Sequence, residues 1–227
     1  MRVAILSSGG KDSTYAHWWA NLQGWDVISL ITCKIIEDDS MMFQIPCVDI
    51  VETQSIVANT KYIEFEISGD EKSEIEELKR GILENMREGK ILFGIDALIS
   101  GAIKSDYQKT RIERMCEDLN IHSFSPLWHN NSKAHMKDLI SQGFKIIITS
   151  VSCDGLGEEW LGRTLDIDNY QQLEEIAQKY RFNIDGEGGE FETSVINAPH
   201  FISEITVEFE KRWRNNRGDL TFTNINI

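Results

Sequence analysis

Short apolar runs alternate with helical stripes through the first half of the chain. Residues 3–7 form an apolar run that ends in Ser-Ser-Gly-Gly, which is typical of a buried parallel strand entering a turn. The three- and four-residue spacing of Ile75, Leu78, Ile82 and Met86 predicts a helix. Strands are also predicted at 25–31, 62–67 and 97–100, and helices at 13–22, 46–59 and 105–119. This alternation predicts an α/β fold with a doubly wound parallel sheet, covered by helices on both faces.

The pattern changes near residues 120–125, where we place a domain boundary. Residues 1–120 are expected to bind a nucleotide. Residues 121–227 are expected to form a smaller C-terminal α/β domain that binds the substrate and closes over the nucleotide. The predicted elements of this domain are strands at 145–150, 205–211 and 220–227 and a helix at 170–180. Residues 37–46 are predicted to form an irregular loop.

The composition, 41% hydrophobic and 26% charged among 227 residues, is that of a globular protein. No stretch approaches the roughly 18 apolar residues of a membrane span, and the N-terminal apolar run is too short for a signal peptide. We therefore expect a cytoplasmic protein without a membrane partner. The four cysteines form no C-x-x-C pair and are expected to be free, mostly buried thiols.

The formal net charge of −14 repels phosphate backbones and argues against stable nucleic-acid binding. A basic patch is conceivable around Lys104, Lys109, Arg111 and Arg114, although the same charges also fit a solvated helix face. The oligomeric state stays open, with a homodimer among the options.

A glycine-rich segment, Ser-Gly-Gly-Lys-Asp-Ser at residues 8–13, joins the first predicted strand to the first predicted helix. Its adjacent glycines allow a tight turn and close approach of an anion to backbone N–H groups at the helix N-terminus. Lys11 adds a positive charge, and Asp12 either a magnesium ligand or a helix cap. Donors around the β- and γ-phosphates would stabilise a departing pyrophosphate, which favours attack at the α-phosphorus of ATP. The alternative is a glycine-rich turn without a ligand. We call residues 7–13 the phosphate loop.

Two further segments carry polar groups. Residues 101–108 follow a predicted strand end, where ligands gather in such sheets, and Ser105 is expected to cap the next helix. Residues 185–193, which we call the acidic segment, place four carboxylates among three glycines. Because these charges repel one another, a magnesium ion, a basic side chain such as Arg163 or a cationic substrate should offset them. Asp106 and Tyr107 could instead serve only to stabilise the first turn of the helix and to pack against it. Residues 185–193 could instead be a solvated acidic loop without a ligand.

Taken in order, these segments resemble a known family. The phosphate loop is similar to that of the N-type ATP pyrophosphatases, whose fold is Rossmann-like, of the adenine nucleotide alpha hydrolase type. Together with 101–108, Pro126-Leu127-Trp128, Leu161-Gly162-Arg163, 186–193 and Ala198-Pro199, it closely resembles the diphthine–ammonia ligase (diphthamide synthase) family. The length resembles the compact stand-alone form typical of archaea.

The resemblance implies ATP-dependent amidation of diphthine on elongation factor 2. The substrate carboxylate would attack the α-phosphorus of ATP, with magnesium present, and ammonia would then displace AMP from the acyl-adenylate. The carboxylates of Glu187, Glu190 or Glu192 could bind ammonium or act as the base. The quaternary ammonium of the substrate suits acidic and aromatic surroundings, for which Phe191, Trp128 and Trp160 are candidates.

The expected site residues fall into three groups. The catalytic residues are Lys11, Asp12, Glu187 and Glu190, with Asp12 also expected to bind magnesium. The ATP-binding residues are Ser7, Ser8, Gly9, Gly10, Lys11, Asp12, Ser13, Gly101, Ser105 and Asp106. The substrate-binding residues are Tyr107, Trp128, Arg163, Gly188, Gly189, Phe191, Glu192 and Thr193.

Two positions depart from the family pattern. Gln44 stands where His is frequent, and Asn197 where Asp is usual, so no acid–base or metal role is carried to them. Two other functions stay open: a tRNA-modifying enzyme of the same fold, acting by thiolation or lysidine formation, and a non-catalytic module regulated by ATP. The missing C-x-x-C pair and the acidic charge disfavour the first. The acidic segment disfavours the second, since a sensor needs no carboxylates opposite the phosphates.

Overall fold

The first half of the chain forms a five-stranded parallel sheet in the order β3-β2-β1-β4-β5. The computed structural model describes residues 1–36 and 47–227. The strands are β1 (Arg2–Leu6), β2 (Asp26–Ile35), β3 (Lys61–Ile67), β4 (Ala97–Ile99) and β5 (His122–Phe124). The helices are α1 (Lys11–Leu22), α2 (Ile50–Val57), α3 (Glu74–Asn85) and α4 (Asp106–Asp118). The predicted doubly wound α/β fold is confirmed.

Alternate residues of β1 pack on opposite faces of this sheet, as the two-residue period of a strand requires. Val3 and Ile5 join one core with α1 and α2, whereas Ala4 joins another with α3 and α4. Each of these three residues is fully buried. Coverage on both faces explains why β1 reads as a continuous apolar run rather than an alternating one.

The C-terminal half is built around an antiparallel sheet whose central strand is β6 (Lys145–Val151). Its other strands are β7 (Thr164–Leu165), β8 (Phe191–Asn197), β9 (Thr206–Arg214) and β10 (Arg217–Asn226), and its helices are α5 (Ser132–Ser141) and α6 (Ile167–Tyr180). Strands β5, β7 and β8 and helix α5 were not predicted from the sequence. The acidic segment is therefore only partly a loop, since its last three residues begin β8.

The two halves share packing and backbone hydrogen bonds. Ile205, from the segment after β8, is fully buried in the same core as α1 and α2. The Val195 N–H of β8 donates to the carbonyl of Gly9 over 2.9 Å. Since β5 pairs with β4, the first sheet extends just beyond residue 120; the division at residues 120 and 121 stays a prediction.

Gln44 lies outside the described residues. No helix in the described part of the chain is long and apolar enough to span a bilayer.

A buried histidine and a half-buried one lie where the halves meet. The rings of His17 on α1 and His200 after β8 are 4.4 Å apart between centroids. Burial lowers the pKa of His17 well below its usual 6.5, with a further contribution from His200. Burial also lowers the pKa of His200, to about 4. Both imidazoles are therefore neutral at pH 7, and protonating either one opposes folding.

Replacing His200 with Gln should make the protein less sensitive to acid. In the unfolded chain the imidazole takes up its proton near pH 6.5, whereas in the folded protein it does so only near pH 4. The stabilising contribution is present above pH 6.5 and is lost as the pH falls towards 4. We expect the wild type to lose about 2 kcal/mol more than His200→Gln across this range. Urea unfolding at several pH values measures this, with the exposed His122→Gln as the matched control; parallel stability curves for wild type and His200→Gln would contradict the expectation.

Candidate active site

A cleft of about 650 Å³ opens at the carboxyl ends of β1, β2 and β4. Its volume lies in the range of small-molecule sites. Three separate segments of the chain form most of its wall: the phosphate loop, the turn after β4 and the acidic segment. The predicted site residues that line it are Ser7, Ser8, Gly10, Lys11, Asp12, Ser13, Gly101, Ser105, Glu187, Gly188, Gly189, Phe191, Glu192 and Thr193.

The phosphate loop is a tight turn between β1 and α1. Gly9 has a φ of 77°, and a Cβ at this position would lie 2.6 Å from Cγ2 of Ile50, so only glycine fits without strain. Gly10 is the extended residue before α1, with no side-chain cap. The N-terminus of α1 therefore presents its backbone N–H groups and its positive dipole end to the cleft.

Buried contacts from other elements fix this loop. Gln54 of α2 is 1% exposed, and its Nε2 donates to the carbonyls of Gly9 (3.0 Å) and Val195 (2.7 Å). The Lys11 N–H donates to Oγ1 of Thr193 over 3.2 Å. The loop is thus held between α2 and β8, and its geometry depends on both halves of the chain.

Asp12 connects the phosphate loop to a histidine of the C-terminal half. One carboxylate oxygen lies 2.7 Å from Nζ of Lys11, and the other lies 2.8 Å from Nε2 of His135 on α5. Burial alone would raise the pKa of Asp12, but the positive charge of Lys11 and the hydrogen bond from His135 together hold it below the usual value. Asp12 is therefore ionised at neutral pH and lies between two cationic or polar partners.

The turn after β4 packs directly on the phosphate loop. A Cβ at Gly101 would lie 2.6 Å from the backbone carbon of Asp12 and the nitrogen of Ser13. The Ser105 hydroxyl accepts from the Gln108 N–H, so it caps α4 as expected. Gly101 thus allows the loop and this turn to approach each other at the cleft wall.

Replacing Gly101 with Ala should displace the phosphate loop, because the new methyl group would meet rigid backbone rather than a flexible side chain. We expect the Kd for ATP to rise about tenfold or more, since donor positions that shift by an ångström lose much of their hydrogen bonding. Isothermal titration with ATP measures this. Circular dichroism would verify that the variant is folded, and unchanged ATP affinity in a folded variant would contradict the packing argument.

Lys104 balances the most deeply buried carboxylate of the acidic segment. Asp185 is fully buried, and its Oδ2 lies 3.1 Å from Nζ of Lys104. Burial would raise the pKa of Asp185, but hydrogen bonds from Ser132 and Lys104 and the charge of Lys11 hold it below its usual value. The cation expected to offset this segment is therefore Lys104 rather than Arg163.

The three glutamates of the acidic segment have different surroundings. Burial, together with the charges of Asp12 and Asp185, raises the pKa of Glu187. Burial and Asp219 raise the pKa of Glu192 to about 7, and its buried Oε2 has no hydrogen-bond partner among the described residues. Glu187 and Glu192 are thus the protonatable carboxyls of the cleft wall.

Glu190 is placed differently from its two neighbours. Its Oε1 accepts from the backbone N–H and the side-chain amide of Asn183 (2.8 and 2.9 Å), and its Oε2 accepts from the Gly188 N–H (2.7 Å). It is not among the residues that line the cleft. The carboxylate therefore holds the turn of the acidic segment together, and the surroundings of Glu192 are better suited to proton transfer.

Five other predicted residues also lie outside the cleft lining: Gly9, Asp106, Tyr107, Trp128 and Arg163. The Tyr107 ring stacks on the guanidinium of Arg111 at 3.4 Å from its centroid. The Trp128 ring lies 5.0 Å below Nζ of Lys109. Arg163 stacks on Trp160 at 4.5 Å and donates to Gln172 over 2.7 Å. Asn197 accepts from the adjacent Ala198 N–H over 3.0 Å, which is a local turn contact.

Sequence reasoning missed Gln54 and His135 and gave Lys104 no role in the site. A lone Gln in an apolar helix and a lone His in an unpredicted helix carry no motif. Lys104 belonged to the conceivable basic patch, and three of that patch's four cations have carboxylate partners: Lys104 with Asp185, Lys109 with Glu113 and Arg111 with Glu71.

Two family models match this chain, one in each half. Residues 1–123 match the diphthamide synthase N-terminal domain, and residues 131–226 match the diphthamide synthase C-terminal domain. The diphthine–ammonia ligase of Mus musculus is 31% identical over 92% of this chain and 83% of the mouse protein. The human protein of the same name is 32% identical with the same coverage. A solved structure, described as a predicted subunit of tRNA methyltransferase from Methanocaldococcus jannaschii, shares 17% identity and a TM-score of 0.43 over 88% of this chain and 98% of that chain. A likeness of that degree says nothing about substrate.

Proposed function

This chain belongs to the diphthamide synthase family, and from that premise we propose that it is a diphthine–ammonia ligase that uses ATP to amidate diphthine on elongation factor 2. The substrate carboxylate attacks the α-phosphorus, pyrophosphate leaves, and ammonia displaces AMP from the acyl-adenylate. The observation that carries this proposal is the meeting of the phosphate loop and the acidic segment in the walls of one cleft. The phosphate loop suits the phosphates of ATP, which are anionic, and the acidic segment suits ammonium and the quaternary ammonium of diphthine, which are cationic. The two half-reactions need these two kinds of surroundings.

The phosphate loop favours cleavage between the α- and β-phosphates. Negative charge grows on the pyrophosphate as it departs. The backbone N–H groups of the loop and the ammonium of Lys11 are fixed before the reaction, so they stabilise that charge without reorganising. Lys11 is 5% exposed, and in such surroundings its charge acts more strongly than it would in water.

The residues of the cleft also suit magnesium. This ion usually takes one or two protein carboxylates and completes its shell with phosphate oxygens and water. Asp12 and Glu187 both line the cleft, and the charge of Asp12 contributes to raising the pKa of Glu187, so these two carboxylates are the candidates to hold the ion. Among the described residues no three His, Cys, Asp or Glu side chains form a metal cluster, which fits an ion held largely by phosphate. Bound there, the ion would neutralise phosphate charge.

Glu192 is suited to the ammonia step. Ammonium is attracted to a carboxylate, but it must lose a proton before nitrogen can attack. A carboxyl with a pKa of about 7 is ionised in part of the population at neutral pH and can accept that proton. Glu192 and the nearby carboxylates offer acidic surroundings for the quaternary ammonium of diphthine, whereas Phe191 is largely buried in the C-terminal core.

The cellular setting is also part of the proposal. We place the reaction in the cytoplasm, a reducing compartment, because all four cysteines are unpaired thiols. A homodimer stays a prediction.

The test is the identity of the products. Purified protein should convert ATP to AMP and pyrophosphate only when diphthine-bearing elongation factor 2 and ammonium are both present, with one amide formed for each AMP. Formation of ADP would exclude the mechanism. Formation of AMP that is stimulated by tRNA, and not by the elongation factor, would favour the tRNA-modifying alternative.

A further inference from the structure

A second cavity, of about 570 Å³, lies beside the cleft on the face of the C-terminal sheet. Three arginines near the β9–β10 turn line it, together with Asp219 and two serines of β6 and its end. We call it the basic pocket; its lining residues are Ser150, Val151, Ser152, Arg212, Arg214, Arg217, Gly218 and Asp219. It stands out because the chain as a whole carries a net charge of −14.

One row of paired residues connects the basic pocket to the cleft. In the antiparallel register Glu192 pairs with Ser150, Ser150 with Asp219, and Asp219 with Arg212. Paired residues of an antiparallel sheet point to the same face. Glu192 lines the cleft and Ser150 lines the basic pocket, so the two cavities are about one strand spacing apart, or roughly 5 Å.

A direct hydrogen bond also joins the two cavities. The Ser152 hydroxyl, in the basic pocket, donates to the carbonyl of Gly189 in the cleft wall. The basic pocket therefore adjoins the acidic segment, and this hydrogen bond lies in the wall between the two cavities.

The three arginines differ in their carboxylate partners among the described residues. Arg212 is committed to Asp219, with a guanidinium nitrogen 3.0 Å from Oδ2. Arg214 and Arg217 pair with each other in register next to the turn, and both are exposed. Within residues 1–36 and 47–227, neither has a carboxylate within salt-bridge distance. Two like charges held side by side repel each other, and an anionic partner would relieve that repulsion.

We propose that the basic pocket docks an acidic stretch of the protein substrate next to the residue that enters the cleft. This inference rests on the proposed function. A folded protein substrate must place one side chain in the cleft while its neighbouring residues lie on the surrounding surface, and the basic pocket is the adjoining surface. An acidic polypeptide fits better than a nucleic acid. A nucleic acid would extend beyond the pocket, and its phosphates would be repelled by the acidic surface of this protein. The few carboxylates of a short acidic stretch can all lie within the Debye length, about 8 Å, of the arginines, where their attraction is not fully screened.

The test reverses the charges of Arg214 and Arg217. The double variant Arg214→Glu/Arg217→Glu should raise the KM for diphthine-bearing elongation factor 2 about tenfold or more. The reason is that charges at the rim of an interface act on the encounter and docking of the partner. The kcat, the KM for ATP and the KM for a tripeptide that carries diphthine should stay within twofold of wild type. Arg87→Glu/Lys90→Glu makes the same change of charge on an exposed segment after α3 and is the matched control.

Direct binding separates this inference from the proposed function. Fluorescence anisotropy with labelled elongation factor 2 should show binding that the Arg214/Arg217 variant loses and the control retains, whether or not AMP is formed. Equal binding by both variants would overturn the docking site. A labelled 20-nucleotide RNA that binds the wild type more tightly than the elongation factor, and loses binding in the same variant, would overturn it in favour of a nucleic acid. Absence of AMP with both the elongation factor and the tripeptide would instead refute the ligase.

Discussion

Replacing Lys11 with Met should lower kcat/KM for ATP about 10²- to 10³-fold, the cost of removing one preorganised donor from a developing anion. The Lys11 ammonium is buried at the cleft wall, 2.7 Å from Asp12. Without it, Asp12, Asp185 and Glu187 would face the phosphates with less positive charge to balance them. The loss should fall mainly on kcat, because charge on the pyrophosphate is largest as the bond breaks.

Single-turnover release of pyrophosphate, measured with saturating ATP and diphthine-bearing substrate, separates this chemical step from binding. Lys61→Met removes an exposed lysine of β3 and is the matched control, with rates expected within twofold of wild type. If Lys11→Met raised KM and left kcat unchanged, Lys11 would bind ATP equally in the ground state and the transition state, and its proposed role would be wrong.

Replacing Glu192 with Gln should slow amide formation about 100-fold while pyrophosphate exchange into ATP continues, because only the second half of the reaction needs a base. In the wild type, the rate at constant free ammonia should rise with pH through about 7, as Glu192 loses its proton and becomes able to accept one. The variant has no group to titrate there, so that rise should disappear from its pH profile.

Glu84→Gln, which changes an exposed glutamate of α3, is the matched control for this experiment. Glu190→Gln gives a more demanding comparison. Because its carboxylate accepts one hydrogen bond from Gly188 in the acidic segment and two from Asn183 just before it, its loss should lower the stability of that segment and affect both half-reactions. Equal loss of exchange and amidation in Glu192→Gln would place Glu192 in the adenylation step instead.

The sequence predicted the parts of this protein that are encoded locally. A buried strand, two adjacent glycines and a helix occupy about 20 consecutive residues, and each is specified by its own apolar pattern or by the conformations that glycine allows. The doubly wound sheet follows from repeating that unit. The acidic segment was also visible, because clustered carboxylates are unusual in any fold. The short strands β5 and β7 were not predicted because, unlike the three-residue β4, neither is a fully buried apolar run.

Only the tertiary structure decided which of the visible residues work together. Three glutamates at 187, 190 and 192 look alike in the sequence, yet Glu190 is hydrogen-bonded to Asn183, whereas partial burial and the charge of Asp219 raise the pKa of Glu192. Their pKa values depend on partners from other strands and on burial, and neither can be seen in a local pattern. Gln54 and His135 reach the phosphate loop across 45 and 123 positions of the chain. The loop that the sequence predicts to bind phosphate is therefore held in place by contacts at long range, because packing and not sequence order determines which side chains meet.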